Sequence, residues 1–167
     1  FDGYFRVVHN DFIGFKLDKF DNKRLDKLNL NFKKKRTSGE YIILSEPSQY
    51  IKNYFNINNW VDETIDKIKK YTDRKIFVHN KFSPISLDQL LEKAWAFVSF
   101  QSTAGFKAML KGVPAHFTYK NLENINTLEE IESGEINLNI FSALSYNQWT
   151  LKEFDSGEAW EHISKTK

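Results

Sequence analysis

AWAFVSFQSTAGFKAMLKGVPAHF, residues 94–117, is the stretch that decides the fold. Trp95-Ala96-Phe97-Val98 is a continuous apolar run, the pattern of a strand covered on both faces. A turn of small residues, Ser99 to Gly105, leads into a short helix. Gly112-Val113-Pro114 then ends that helix, and Ala115-His116-Phe117 reads as a second strand. Strand, helix and strand in so short a space predict one βαβ unit of a parallel sheet. Ligands of open α/β sheets sit at the carboxyl ends of the strands, and helix starts there favour anions.

The same rhythm extends towards the N-terminus. Tyr41-Ile42-Ile43-Leu44 predicts a buried strand, broken by Glu46-Pro47-Ser48. Asn58 or Asn59 is placed to cap a helix whose stripe is Trp60, Thr64, Ile65 and Ile68, with acids in its first turn and lysines near its end. Lys75 to Val78 is the next strand and residues 79–84 a loop; Ser86 caps a helix over 87–93. Tyr4 to Val8 predicts a short strand. Residues 10–36 read as a long loop holding at most a turn of helix or a short strand, with Lys33-Lys34-Lys35-Arg36 solvated. Towards the C-terminus, 125–132 and 136–146 look helical, and Thr150 and Ser156 cap short helices over 151–155 and 157–163. Tyr146, Trp149, Phe154 and Trp160 are expected to pack back on the sheet. The whole reads as one α/β domain over 1–167: an irregular segment 1–40, a Rossmann-like βαβ core 41–120 and a helical segment 121–167.

Composition sets the outer bounds. A chain of 167 residues, 41% hydrophobic and 28% charged, is long enough to bury a core. The net charge of +2 does not suggest a nucleic-acid or membrane-surface partner. No apolar run nears the roughly 20 residues that span a bilayer, and a soluble cytoplasmic protein is expected. Cys is absent, which removes disulfides, thiolate metal sites and a Cys nucleophile. The four His residues show no metal-ligand spacing, so no metal is expected. A start at Phe1, directly before a strand, suggests a piece of a longer protein. The abundance of Lys over Arg, with many Asn, Ile, Phe and Tyr, fits an AT-rich coding sequence.

Three loops carry candidate chemistry. In Ser99 to Gly105, backbone amides and the hydroxyls of Ser102 and Thr103 can hold a diphosphate or another anion, with Gln101, Ala104 and Gly105 beside them. Equally, Ser102 can simply cap the helix and Gly105 ease its packing. His79-Asn80-Lys81 follows a strand at the same edge; Lys81 can pair with phosphate, and His79 can donate or serve as acid or base. Pro47-Ser48 follows another, where Ser48 caps a helix or touches ligand. Arg6, His9 and Asn10 are weaker candidates after the first strand. Glu129, Glu130 and Glu132 read as a solvated helix face. There is no Gly-x-Gly-x-x-Gly, P-loop or Gly-x-Ser-x-Gly pattern.

The order of strand, EPS, a helix followed by YTDRKI, a lysine-bearing loop, the 94–117 stretch and the late NQWTLKEFDSGEAW (residues 147–160) resembles a family of capsular-polysaccharide and glycosyltransferase-like proteins of bacteria and phages. These look like the C-terminal, nucleotide-binding half of GT-B glycosyltransferases. The resemblance covers roughly Tyr41 to Trp160. Its best-matched parts are Ser102-Thr103-Ala104 with Gly112-Val113-Pro114, and Asn147-Gln148-Trp149-Thr150. It implies a nucleotide-sugar site formed by the Ser102–Gly105 turn, the Lys81 loop and the Pro47-Ser48 loop. It also implies transfer without metal or other cofactor and a base supplied by an N-terminal domain; a missing N-terminal domain or a homo-oligomer is the expected partner. The chain departs from the family pattern at Lys107, where an acid is common, and at His79, where an Arg is common. The alternative is a non-catalytic binding or structural module that keeps the fold; an epimerase-like activity on the same half-fold is a third reading.

Overall fold

The computed structural model describes residues 3–7, 20–122 and 125–165. Val8, His9 and Asn10, and most of the loop expected before residue 20, lie outside the described residues. In chain order the elements are β1 (Tyr4–Arg6), α1 (Lys23–Lys27), β2 (Tyr41–Ser45), α2 (Gln49–Phe55), α3 (Trp60–Ile68), β3 (Lys75–His79), α4 (Leu87–Leu91), β4 (Ala94–Ser99), α5 (Ala104–Leu110), β5 (Ala115–Phe117), a 3-10 turn (Leu128–Glu130), α6 (Asn139–Ser145), β6 (Gln148–Thr150), α7 (Leu151–Asp155) and α8 (Glu158–Lys165). They fall into two compact units, residues 31–137 and residues 1–30 with 138–167. The boundaries differ from the expected 1–40, 41–120 and 121–167, because residues 31–40 belong with the parallel sheet and residues 20–30 with the C-terminal helices.

Residues 31–137 hold a parallel four-stranded sheet in the order β3-β2-β4-β5, flanked by helices, an α/β fold of Rossmann-like type. β2 is central, and Ile42, Ile43 and Leu44 are fully buried, as the unbroken apolar run requires. β4 is equally buried, whereas β3, at the edge, is partly exposed. α3 turns Trp60, Thr64 and Ile68 inward, and Asp62 and Glu63 occupy its first turn. Asn59 precedes that helix without a side-chain cap bond, so the acids serve its start instead. Ser86 and Gln89 form a capping box on α4.

The basic run 33–36 is not a free loop. The Lys33 amide donates to the Leu110 carbonyl (3.0 Å), the Arg36 amide to Gly112 (2.8 Å), and the Arg36 guanidinium to Ala94 (3.0 Å). Gly112 has φ +80°, and a Cβ there would stand 2.2 Å from the Lys34 carbonyl oxygen, so this crossing requires glycine. The helix expected over 125–132 is only a 3-10 turn. Asn126 bridges the Ala115 and Glu135 carbonyls, and a Thr127–Glu130 capping box starts the turn. These contacts fix the backbone in a tight loop against β5. Of the three expected solvated acids, Glu130 serves that box, Glu129 accepts from the Tyr71 hydroxyl (3.2 Å) and Glu132 pairs with Arg74 (2.8 Å).

The other unit is built on Arg24. Its buried guanidinium lies 3.9 Å from the Trp149 ring centroid and donates to the carbonyls of Ser145 (2.9 Å) and Gln148 (2.8 Å) and to Glu153 (2.5 Å). Thr150 caps α7 in a box with Glu153. Asn147 donates to Ala143 and accepts from the Val7 amide, beside the antiparallel pairing of β1 with β6. Asn147-Gln148-Trp149-Thr150 is therefore a structural clasp around one buried cation. Burial pushes the Glu153 carboxyl up, yet the bonds from Arg24 and Thr150 prevail and hold it down to about 2. Trp149 is buried, but over Arg24 within this unit rather than on the parallel sheet, and Trp160 is 68% exposed on α8.

Candidate functional site

Register aligns the carboxyl ends of the strands. His79, Ser45, Ser99 and Phe117 lie side by side across β3, β2, β4 and β5. Beyond that row the chain leaves β2 towards β3 on one side, and leaves β4 towards β5 on the other. The connections thus diverge between β2 and β4, which is the topological switch point where open α/β sheets form their ligand crevice. Glu46, Pro47 and Ser48 stand on one side of it, Phe100, Gln101 and Ser102 on the other. The Asn80-Lys81 loop stands one strand farther out. At a strand spacing of about 4.8 Å, a ligand reaching from the β4 turn to that loop spans about 10 Å.

The β4–α5 turn does not present the row of free amides read from its sequence. The Ser102 amide donates to the Ser99 hydroxyl (3.3 Å), the Ala104 amide to the Ser102 hydroxyl (3.2 Å) and the Gly105 amide to the Ser102 carbonyl (3.0 Å). Ser102 thus works as a cap for the short α5. Gly105 faces Phe117: an added Cβ would stand 2.5 Å from its ring. Thr103 is exposed at the start of the helix. Gln101 is different. Its side chain is only 6% exposed, and neither atom of its carboxamide has a hydrogen-bond partner among the described residues.

Ser48 caps α2, accepting from the Ile51 amide (3.4 Å). The Asn80 side chain is also engaged, donating to Glu46 (3.0 Å) and accepting from the Phe82 amide (3.0 Å). Glu46 in turn holds Lys52 (2.8 Å), and these bonds from Lys52 and Asn80 keep its carboxyl below the usual range. The Glu46–Lys52–Asn80 cluster, which the sequence pattern did not single out, fixes two of the three loops to each other. Its signal was present only as an acid directly after a buried strand. Lys81 is exposed, with its ammonium 4.8 Å from the Phe82 ring centroid. His79, half-buried, ends the edge strand and its carbonyl accepts from the Glu46 amide (2.9 Å). Arg6 lies within β1, paired with Gln148 in the two-stranded sheet, and so does not follow a strand of the parallel sheet.

α2 roofs this edge. It starts just past β2, and Phe55 at its end packs on Phe100 (5.1 Å) and Tyr119 (5.5 Å), which follow β4 and β5. A helix of that length is about 10 Å long, or about two strand spacings. Phe100 also meets Tyr119 (5.3 Å) and Trp60 (6.4 Å), and the Trp60 indole donates to Thr118 (2.7 Å). Lys107, the departure from the family pattern, pairs with Asp88 (2.7 Å); that bond and one from Lys111 hold the Asp88 carboxyl down to about 2. Among the described residues, no group of three or more His, Cys, Asp or Glu could hold a metal ion, and no helix is long and apolar enough to cross a membrane.

No family model, curated protein or solved structure matches the chain.

Proposed function

We propose that residues 31–137 bind a nucleotide sugar at the switch point between β2 and β4, as the nucleotide-binding half of a metal-independent glycosyltransferase-like protein. The setting would be the cytoplasmic synthesis of surface polysaccharide. The observation that supports this reading is the strand order β3-β2-β4-β5, whose connections diverge between β2 and β4, the place where open α/β sheets take their ligands. The sequence resemblance supplies the ligand class. In this reading Ser102 and Thr103 contact the diphosphate, together with Ala104 and Gly105, and Gln101 of the same turn meets another part of the nucleotide sugar. Lys81 reaches in from the next loop as its counter-charge, and Pro47 and Ser48 line the opposite wall. His79 stands at the end of β3, where it can hand a proton to the departing diphosphate. A second reading, binding without transfer, is favoured by the internal bonding of the Ser102, Ala104 and Gly105 amides and by the engagement of Lys107 with Asp88.

Thermal unfolding with UDP, GDP, CDP and CMP tests the binding claim. One of them raises the melting temperature, and Ser102→Ala combined with Lys81→Ala removes the rise. Absence of a shift with every nucleotide rejects the proposal. Transfer or hydrolysis measured on a panel of nucleotide sugars separates the enzyme from the binding module.

A further inference from the structure

Among the described residues at the switch point, Gln101 combines a buried polar side chain with no internal hydrogen-bond partner. The neighbouring Ser99, Ser102 and Asn80 side chains all make internal hydrogen bonds. The Gln101 carboxamide, 6% exposed, has none on either its oxygen or its nitrogen among the described residues. A buried amide without partners is unfavourable, and such groups persist where something else meets them. α2 buries none of its own residues, Tyr50 and Tyr54 are 67% and 65% exposed, and it is held by the Ser48 cap, the Lys52–Glu46 ion pair and Phe55. Asn56 follows with φ +53°, a left-handed turn that ends the helix sharply.

We propose that Gln101 is the specificity residue of the site: its carboxamide pairs with a ligand group that carries both a hydrogen-bond donor and a hydrogen-bond acceptor. Nucleobase edges and the acetamido group of an amino sugar both carry that pattern. The inference rests on the nucleotide-sugar reading above and adds which part of the ligand is read.

Calorimetric titration of the full chain tests the assignment, with pyrophosphate, UDP, GDP, CDP, UDP-glucose and UDP-N-acetylglucosamine as probes. Gln101→Met keeps the length of the side chain without its amide. In its unliganded form this variant is expected to melt at or above the wild-type temperature. Its affinity for pyrophosphate stays as in the wild type, while affinity for the read ligand falls at least tenfold. If a nucleobase is read, the preference for one nucleoside diphosphate over pyrophosphate collapses. If an acetamido group is read, the preference for UDP-N-acetylglucosamine over UDP-glucose collapses. Retention of both preferences by Gln101→Met overturns the assignment, as does a clear drop in its unliganded melting temperature, which would show an internal partner for the amide. A wild type that binds none of the nucleotide probes rejects the nucleotide-sugar reading itself, and the assignment falls with it; a wild type that binds, beside a variant that binds equally well, rejects Gln101 alone.

Discussion

Gly105→Ala separates two roles for the glycine of the β4–α5 turn, close approach of a ligand or close packing of α5 on β5. The new methyl carbon would stand 2.5 Å from Cζ and 2.7 Å from Cε1 of Phe117, far inside ordinary van der Waals contact. Phe117 cannot swing away easily: it is 1% exposed and the Phe106 ring lies 5.3 Å from it. Overpacking of a closed core costs about 1–3 kcal/mol. Replacing Gly by Ala in a helix returns up to about 1 kcal/mol. The net expectation is a loss of about 1–2 kcal/mol, or roughly 2–8 °C in Tm for a chain of this size. Urea unfolding followed by tryptophan fluorescence measures it. In a Phe117→Leu background, where the ring edge is gone, adding Gly105→Ala should cost less than half as much. A neutral or stabilising Gly105→Ala in the wild-type background would refute the packing argument, and loss of nucleotide binding with stability unchanged would assign the glycine to the ligand.

Two further expectations concern buried ionisable groups. Arg24→Lys replaces a planar fork that reaches Ser145, Gln148 and Glu153 at once by a single ammonium, and should cost about 2–4 kcal/mol in urea unfolding; a cost under about 0.5 kcal/mol would show that the clasp does not depend on the guanidinium. Burial lowers the pKa of His116, whose Nδ1 is paired with the Thr127 carbonyl, and Nε2 has no partner among the described residues. The unfolded chain therefore takes up this proton first, so stability is complete above about pH 6.5 and declines as the pH falls through the lowered folded value. Urea midpoints between pH 7.5 and 5 should fall for the wild type and fall less for His116→Asn; equal slopes would remove His116 from the explanation.

The sequence made the parallel sheet legible because its strands are unbroken apolar runs. Tyr41 to Leu44, Trp95 to Val98 and Ala115 to Phe117 can be buried on both faces only in a helix-covered sheet, and each is a strand within a residue or two of its expected ends. Ser86 and Thr150 announced their helices because a cap is a local interaction, complete within four residues. Strand order was not legible, since nothing local says that β4 returns to the far side of β2, and with it the switch point stayed hidden. The clasp around Arg24 was hidden for the same reason: its partners lie more than a hundred residues away along the chain. At the site, hydroxyls and amides that looked available from composition are consumed by contacts the sequence does not display, such as the Ser102 amide on Ser99 and the Asn80 amide on Glu46. Gln101 carried no distinguishing local signal; only its burial without partners sets it apart.

Hydrogen exchange of the full chain, with and without a saturating nucleoside diphosphate, addresses the location of the ligand most directly. Binding at the divergence of the β2 and β4 connections slows exchange in residues 46–56 and 99–105 and leaves α1, α6 and α8 unchanged. Protection confined to those three helices, or none in either loop while the nucleotide is bound, would contradict it.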